Sequence, residues 1–216
     1  MKEHGFASLL IAMIIFLFGL PVAEEFDFAG SPAFRIAIFS CLLIIGVWSL
    51  KGAGRLFAFG MSFAVTGVLL NFLNSADHSG FFFVASFLAL LGFLVTAIVH
   101  TLNVISRTEE TDFDRLVGAV CLYLLLGLAW AIIYGMLGWA TPESFAGLTD
   151  NASIQFHSSY IYFSFVTMTT LGFGDIVPLT PIIRTVAYLQ AIVGQFYLAI
   201  LVASLVSAYI SSQSRR

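Results

Sequence analysis

The sequence is short of charge. Only 10% of its 216 residues are Asp, Glu, Lys or Arg, where an ordinary soluble domain carries about 25%. The hydrophobic share is 60%, and a soluble fold of this size lacks the polar surface to cover so much apolar area. With nine basic residues in all, the chain has no basic face for nucleic acid. The composition therefore excludes a cytosolic enzyme, a disordered chain and a nucleic-acid binder, and predicts an integral protein of the lipid bilayer.

Groups that hold metals or cofactors are scarce as well. Cys41 and Cys121 both lie in apolar runs, without metal-ligand spacing and without a disulfide framework. A membrane enzyme or haem protein is the alternative from another class, and it would depend on histidines that fall on separate loops or helix ends without a partner at metal spacing. Those histidines are His4, His78, His100 and His157. We therefore expect no enzyme and no cofactor.

Long apolar runs fill the sequence instead. A helix needs about 20 mostly apolar residues to cross the hydrocarbon core. Six segments qualify: residues 6–23, 33–50, 56–73, 81–105, 116–140 and 181–210. The apolar stretch 156–170 is too short to span and is predicted to be a re-entrant helix. The fold class is thus an all-α membrane protein with six transmembrane helices and a re-entrant segment between the fifth and the sixth.

The basic residues predict the orientation of these spans. With the N-terminus in the cytoplasm, only Arg35 and Arg184 lie outside. The cytoplasmic segments hold Lys2, Lys51, Arg55, Arg107, Arg115, Arg215 and Arg216. We expect a multi-pass plasma-membrane protein with both termini cytoplasmic, and the short loops favour a bacterial inner membrane. A cleaved signal peptide ending at Ala23 is the alternative for the first span, since its removal would leave the other five in the same orientation.

Residues 167–175 differ from the rest of the chain, reading Thr-Met-Thr-Thr-Leu-Gly-Phe-Gly-Asp. Glycine tolerates positive φ, so the carbonyls of Gly-Phe-Gly can point to one side. In a membrane, such backbone is tolerated only where it lines a water-filled or ion-filled path. Its oxygens can then replace the hydration shell of a cation. A simple loop between two packed helices is the alternative, and it leaves unexplained why an apolar half-span ends in this string.

The string resembles the filter signature of potassium channels, with Leu171 in place of the common Val and Phe173 in place of the common Tyr. The resemblance covers residues 116–210. Ahead of the string, the aromatic-rich stretch 160–166 is similar to the pore helix of that family. Behind it, three residues recur at the family's spacing, Pro178, Thr180 and Arg184.

The resemblance implies a role for each residue of the string. Four copies would each supply one filter strand, forming a homotetramer that passes K⁺ passively. K⁺ would be coordinated by the filter segment, which comprises Thr170, Leu171, Gly172, Phe173 and Gly174. Asp175 would lie at the outer mouth, held by hydrogen bonds. Support from the pore helix would come from Tyr162, Phe163, Val166 and Thr169.

Phe173 departs from the family pattern, because it lacks the hydroxyl with which the filter tyrosine bonds a pore-helix tryptophan of a neighbouring subunit. The matching pore-helix pair here is Tyr162-Phe163. We expect an apolar aromatic contact in place of that bond, and a softer filter. A weakly selective monovalent cation channel on the same fold is therefore the alternative to a potassium-selective channel.

The last span carries no charge after Arg184. Four of its residues form a stripe at helical spacing: Ala191, Gln195, Leu198 and Val202. The stripe is predicted to line a cavity, because an amide such as that of Gln195 in the middle of a membrane faces protein or water. Gly194 falls where relatives often have an inner-helix glycine. It is either a hinge or a position of close helix packing.

The chain is expected to contain a four-helix membrane domain (1–105), a cytoplasmic linker (106–115) and a pore domain (116–216). The layout resembles voltage-gated channels, but span 81–105 has no basic ladder, so conventional voltage gating is not expected. The linker is either a solvated connector or a cation or proton site built from Glu109, Glu110, Asp112 and Asp114. The membrane domain, the loops or an unidentified partner would then supply the gating signal.

Overall fold

The structure, a computed structural model, describes residues 5–25, 55–77, 80–107, 113–141, 143–148 and 158–214. These residues form six α-helices and one small antiparallel sheet. The helices are α1 (Gly5–Glu25), α2 (Arg55–Asp77), α3 (Gly80–Arg107), α4 (Phe113–Ala140), α5 (Ser158–Met168) and α6 (Pro181–Ser214). The strands are β1 (Phe145–Ala146) and β2 (Val177–Pro178).

Five of the six predicted spans coincide with helices α1, α2, α3, α4 and α6. The remaining one, 33–50, lies outside the described residues. Among the described residues, three helical segments are long and apolar enough to cross a membrane: Gly80–Ser106, Arg115–Ala140 and Pro181–Ser207. The apolar parts of α1 and α2 are shorter, Phe6–Gly19 and Leu56–Leu70. A mostly helical protein with several apolar helices is therefore found, and the count of six spans stays a prediction.

One compact unit comprises α1, α2, α3 and α4 as far as Leu125. Its interior is apolar, with Met13, Phe93 and Leu94 at most 2% exposed. Close approach of α2 and α3 depends on Gly92, where an added Cβ would lie 2.8 Å from the ring of Phe63. This unit carries no residue of the predicted filter.

The second unit comprises the rest of α4, β1, α5, β2 and α6. Its core is an aromatic cluster behind α5, made of Tyr134, Phe145, Tyr160, Phe163 and Ile183. The Phe145 ring meets three other rings edge-on, at centroid distances of 6.1, 5.7 and 5.4 Å. Such geometry suits the quadrupoles of aromatic rings. The packed rings of this cluster hold α5 in place.

Local sequence explains where α6 begins. Pro181 is its first residue, a position where the missing N–H costs nothing. Thr180 precedes it as a cap: its hydroxyl accepts from the Ile183 amide at 3.4 Å, and its carbonyl from the Arg184 amide at 3.0 Å. This start fixes the chain between the predicted filter and the last span.

Candidate functional site: the segment after the short helix

Helix α5 has only 11 residues, and its end leads directly into the predicted filter segment. The Thr169 hydroxyl donates to the Phe165 carbonyl at 2.7 Å, and the Thr170 amide to the Thr167 carbonyl at 3.0 Å. Side chain and backbone thus satisfy carbonyls that the helix end leaves without partners.

Two amides of the filter segment turn back towards α5. The Leu171 and Gly172 amides both donate to the Val166 carbonyl oxygen, with N···O distances of 2.9 and 3.4 Å. In a planar trans peptide, the N–H of one residue and the C=O of the residue before it point in opposite directions. No described peptide bond is cis. The carbonyls of Thr170 and Leu171 therefore point away from α5, both to the same side.

The backbone of the filter segment alternates in the sign of φ. Thr170, Gly172 and Gly174 have φ of 57°, 57° and 79°, whereas Leu171 and Phe173 have negative values. Alternation between right-handed and left-handed conformations aligns successive N–H groups on one side, which leaves the carbonyls on the other. Positive φ is natural for glycine but is an outlier for a β-branched residue such as Thr170. Strain of this kind is typical of functional sites.

Asp175 follows the filter segment and is held by two donors. The Tyr162 hydroxyl donates to Oδ2 at 2.6 Å, and the Ile176 amide donates to Oδ1 at 3.0 Å. The Tyr162 hydrogen bond, helped by backbone amides, holds the pKa of this carboxyl below its usual value. Asp175 is therefore a carboxylate at neutral pH, attached to α5 through Tyr162.

The loop after α4 forms backbone hydrogen bonds with the residues that follow the filter segment. Strands β1 and β2 pair Phe145 with Pro178 and Ala146 with Val177. The Leu179 amide also donates to a loop carbonyl, that of Ser144, at 2.8 Å. At Gly147, whose φ is 86°, any Cβ would overlap the carbonyl of Asp175.

A buried hydrogen-bond network joins α4, α5 and α6. The Tyr134 hydroxyl donates to Gln190 Oε1 at 2.7 Å. Gln190 Nε2 donates to the carbonyl and hydroxyl oxygens of Ser164, at 3.0 and 2.7 Å. The Ser164 hydroxyl donates in turn to the Gly127 carbonyl at 2.7 Å. Tyr134, Ser164 and Gln190 are all 0% exposed, so the network fixes α5 between its two neighbours.

Helix α6 meets the end of α5 at two consecutive residues. A Cβ at Gly194 would lie 2.5 Å from the Met168 carbonyl oxygen, so the glycine is a close-packing position. Gln195 Nε2 lies 3.4 Å from the hydroxyl oxygen of Thr170. Of the remaining stripe residues, Leu198 and Val202 are exposed in the single chain, and Ala191 is half-buried.

The predicted pore-helix residues separate into two groups. Tyr162 and Val166 contact the filter segment or its outer end, and Thr169 closes α5. Phe163 is buried as part of the aromatic cluster. The contact expected between Phe173 and a neighbouring subunit stays a prediction.

The linker residues predicted as a cation or proton site are only partly described by the structure. In the linker, Glu109, Glu110 and Asp112 lie outside the described residues, and Asp114 lies in the first turn of α4. Three parts of this arrangement were not predicted from the sequence: Tyr134, Gln190 and the loop 144–147. The one sequence feature that could have indicated the buried network is a polar residue, Gln190, within an apolar span.

One comparison with known proteins falls on the same region. A profile of the ion channel family matches residues 120–211. The chain is also similar to two-pore potassium channel 4 of Arabidopsis thaliana, with 28% identity over 108 residues. That similarity covers 50% of this chain and 38% of the plant protein. No solved structure matches the chain. The chain is therefore similar to ion channels over this part, and the plant relative is a potassium channel.

Proposed function

We propose that this protein is a potassium-selective ion channel, in which four copies surround one axial pore lined by residues 170–174. The observation that carries the proposal is the shared direction of the Thr170 and Leu171 carbonyls, away from α5, while the following amides bond Val166. Four such strands around an axis give stacked rings of oxygens that replace the hydration shell of K⁺. K⁺ is the permeant ion, and the flow is passive.

Exposure in the single chain supports a homotetramer. Only 11% of the apolar stretch of α6 is buried, against 61% for α4. Leu171 and Phe173 are 56% and 67% exposed. One chain supplies a single filter strand, whereas the site needs four. Neighbouring copies would supply the other three filter strands and would also cover the exposed surface of α6.

Electrostatics at both ends of the filter segment favour a cation. The C-terminus of α5 carries the negative end of the helix dipole and points to the cavity below Thr170. At the outer end, the Asp175 carboxylate raises the local cation concentration. The filter segment between them contains no charged side chain.

The proposed channel is not conventionally voltage-gated, because α3 has no basic ladder within the membrane. It lies in a plasma membrane, most simply a bacterial inner membrane, with both termini in the cytoplasm. Its partners are the lipid bilayer and its own copies, and the gating signal comes from the membrane domain, the loops or an unidentified partner.

A flux assay in proteoliposomes tests conduction. Vesicles loaded with K⁺ and diluted into Na⁺ buffer should take up protons when a protonophore is added, because outward K⁺ flow makes the interior negative. Gly172→Ala should abolish this uptake, since φ is 57° there. Gly67→Ala is the matched control, because its added methyl makes an ordinary 3.6 Å contact with Ala89. Uptake that Gly172→Ala leaves intact in assembled tetramers would contradict the proposed pore.

A further inference from the structure

The contact between Gln195 and Thr170 joins the last helix to the base of the filter segment. Gly194 brings α6 against the Met168 carbonyl, and the next residue reaches the Thr170 hydroxyl with its amide nitrogen, 3.4 Å away. An amide in the middle of an apolar helix is costly unless it faces protein or water. Here one end of the Gln195 amide is directed to the filter residue nearest the cavity.

The hydrogen bonds of Thr170 leave one position free. Its hydroxyl donates its proton to the Thr169 carbonyl at 2.7 Å, so the hydroxyl oxygen has two acceptor positions. Gln195 occupies one of them. The other is left for a cation at the inner end of the filter. Donor and acceptor bonds together fix the direction in which that remaining lone pair points.

We propose that Gln195 is a positioning residue for the innermost cation site, and that its amide sets how tightly this site binds cations through the Thr170 hydroxyl. The inference rests on the proposed function, because the site needs four Thr170 residues around one axis. It also separates Gln195 from the lower stripe residues Leu198 and Val202, whose side chains have no polar group with which to orient Thr170.

Block by Ba²⁺ from the cytoplasmic side reports on this site. Ba²⁺ is close to K⁺ in size and carries twice its charge, so oxygens arranged for K⁺ bind it tightly enough to stop the flow. Gln195→Met keeps the side-chain length and removes the amide. It should weaken the block by about tenfold, the equivalent of about one net hydrogen bond shared over the four subunits, because the amide no longer holds the Thr170 hydroxyls in place. Gln195→Leu is the second variant and should act in the same direction.

Two further variants test whether Gln195 acts by positioning Thr170 or only by making the cavity more polar. Gln195→Met combined with Leu198→Gln returns an amide to the cavity one turn lower, beyond reach of Thr170, and should leave the block weak. In a Thr170→Ala background, Gln195→Met should change the block by less than about twofold, because the hydroxyl through which it acts is gone.

The outcomes distinguish this inference from the proposed function. Unchanged Ba²⁺ block in both Gln195 variants, recovery by Leu198→Gln, or an undiminished effect in the Thr170→Ala background would overturn the inference while the K⁺ current of the unmodified channel persists. Absence of any K⁺ current from the unmodified, assembled protein would overturn both.

Discussion

The hydroxyl of Tyr162 donates to Asp175 Oδ2 across 2.6 Å, joining α5 to the residue that follows the filter segment. At the other end, the Val166 carbonyl accepts the Leu171 and Gly172 amides. Helix α5 therefore holds the filter segment at its beginning and at its end. The backbone between these attachments alternates in the sign of φ from Thr170 to Gly174.

Removing the outer attachment should destabilise the conducting filter. Tyr162→Phe keeps the ring and removes the donor to Asp175, so we expect current during sustained opening to decay several times faster. Recordings at low external K⁺, where fewer ions support the filter, measure this decay. Tyr188→Phe is the control, since it removes a hydroxyl from an exposed tyrosine of α6. Equal decay in the two variants would contradict the role of the bond.

The same bond predicts how external acid acts. The pKa of Asp175 is lowered chiefly by the Tyr162 hydroxyl, so the stabilisation is complete above the ordinary pKa of aspartate and is lost as pH falls through the lowered value. In Tyr162→Phe the pKa moves back up, so acid inhibition should begin at a higher pH. Current measured against external pH, with the cytoplasmic pH fixed, gives the two midpoints. Identical midpoints would show that Tyr162 does not hold this carboxylate.

The buried network behind α5 should show strong coupling. Tyr134→Phe leaves Gln190 Oε1 without its donor and should cost about 1–3 kcal/mol of stability. Gln190→Met should cost roughly twice as much, because it removes the partners of both Tyr134 and Ser164. The double variant should cost no more than Gln190→Met alone, since it replaces both partners with apolar groups. Thermal dissociation of the proposed tetramer in detergent measures these differences, and simple additivity would contradict the network.

Gly194 should behave as a packing position. Gly194→Ala would place a Cβ 2.5 Å from the Met168 carbonyl oxygen and should destabilise the assembly by about 1–3 kcal/mol. Gly19→Ala is the control, because no atom lies within 4 Å of its added Cβ. The same thermal dissociation measures both. A hinge without packing strain would instead leave the stability of Gly194→Ala unchanged and alter only how often the channel opens.

The sequence predicted the parts of this fold that depend on local pattern. Long apolar runs predicted five of the described helices, and Gly172 and Gly174 marked a backbone able to adopt positive φ. The same φ at Thr170 was unpredictable, because a β-branched residue disfavours it. There the bonds of the next two amides to Val166 override local preference.

Contacts between residues that are far apart in the chain could not be predicted from the sequence. The Tyr134–Gln190 bond links residues 56 positions apart, and nothing in the local pattern pairs them. Strands β1 and β2 have two residues each, too few to show alternation. Phe163 is buried in the aromatic cluster, and its support of the filter segment stays a prediction.

The reversal potential of the reconstituted protein, with K⁺ on one side of the bilayer and Na⁺ on the other, tests the proposed filter most directly. A potassium-selective pore built from residues 170–174 predicts a potential close to the K⁺ equilibrium limit. A potential near zero with clear current would contradict it, and would mean that the filter with Phe173 forms a weakly selective cation pathway.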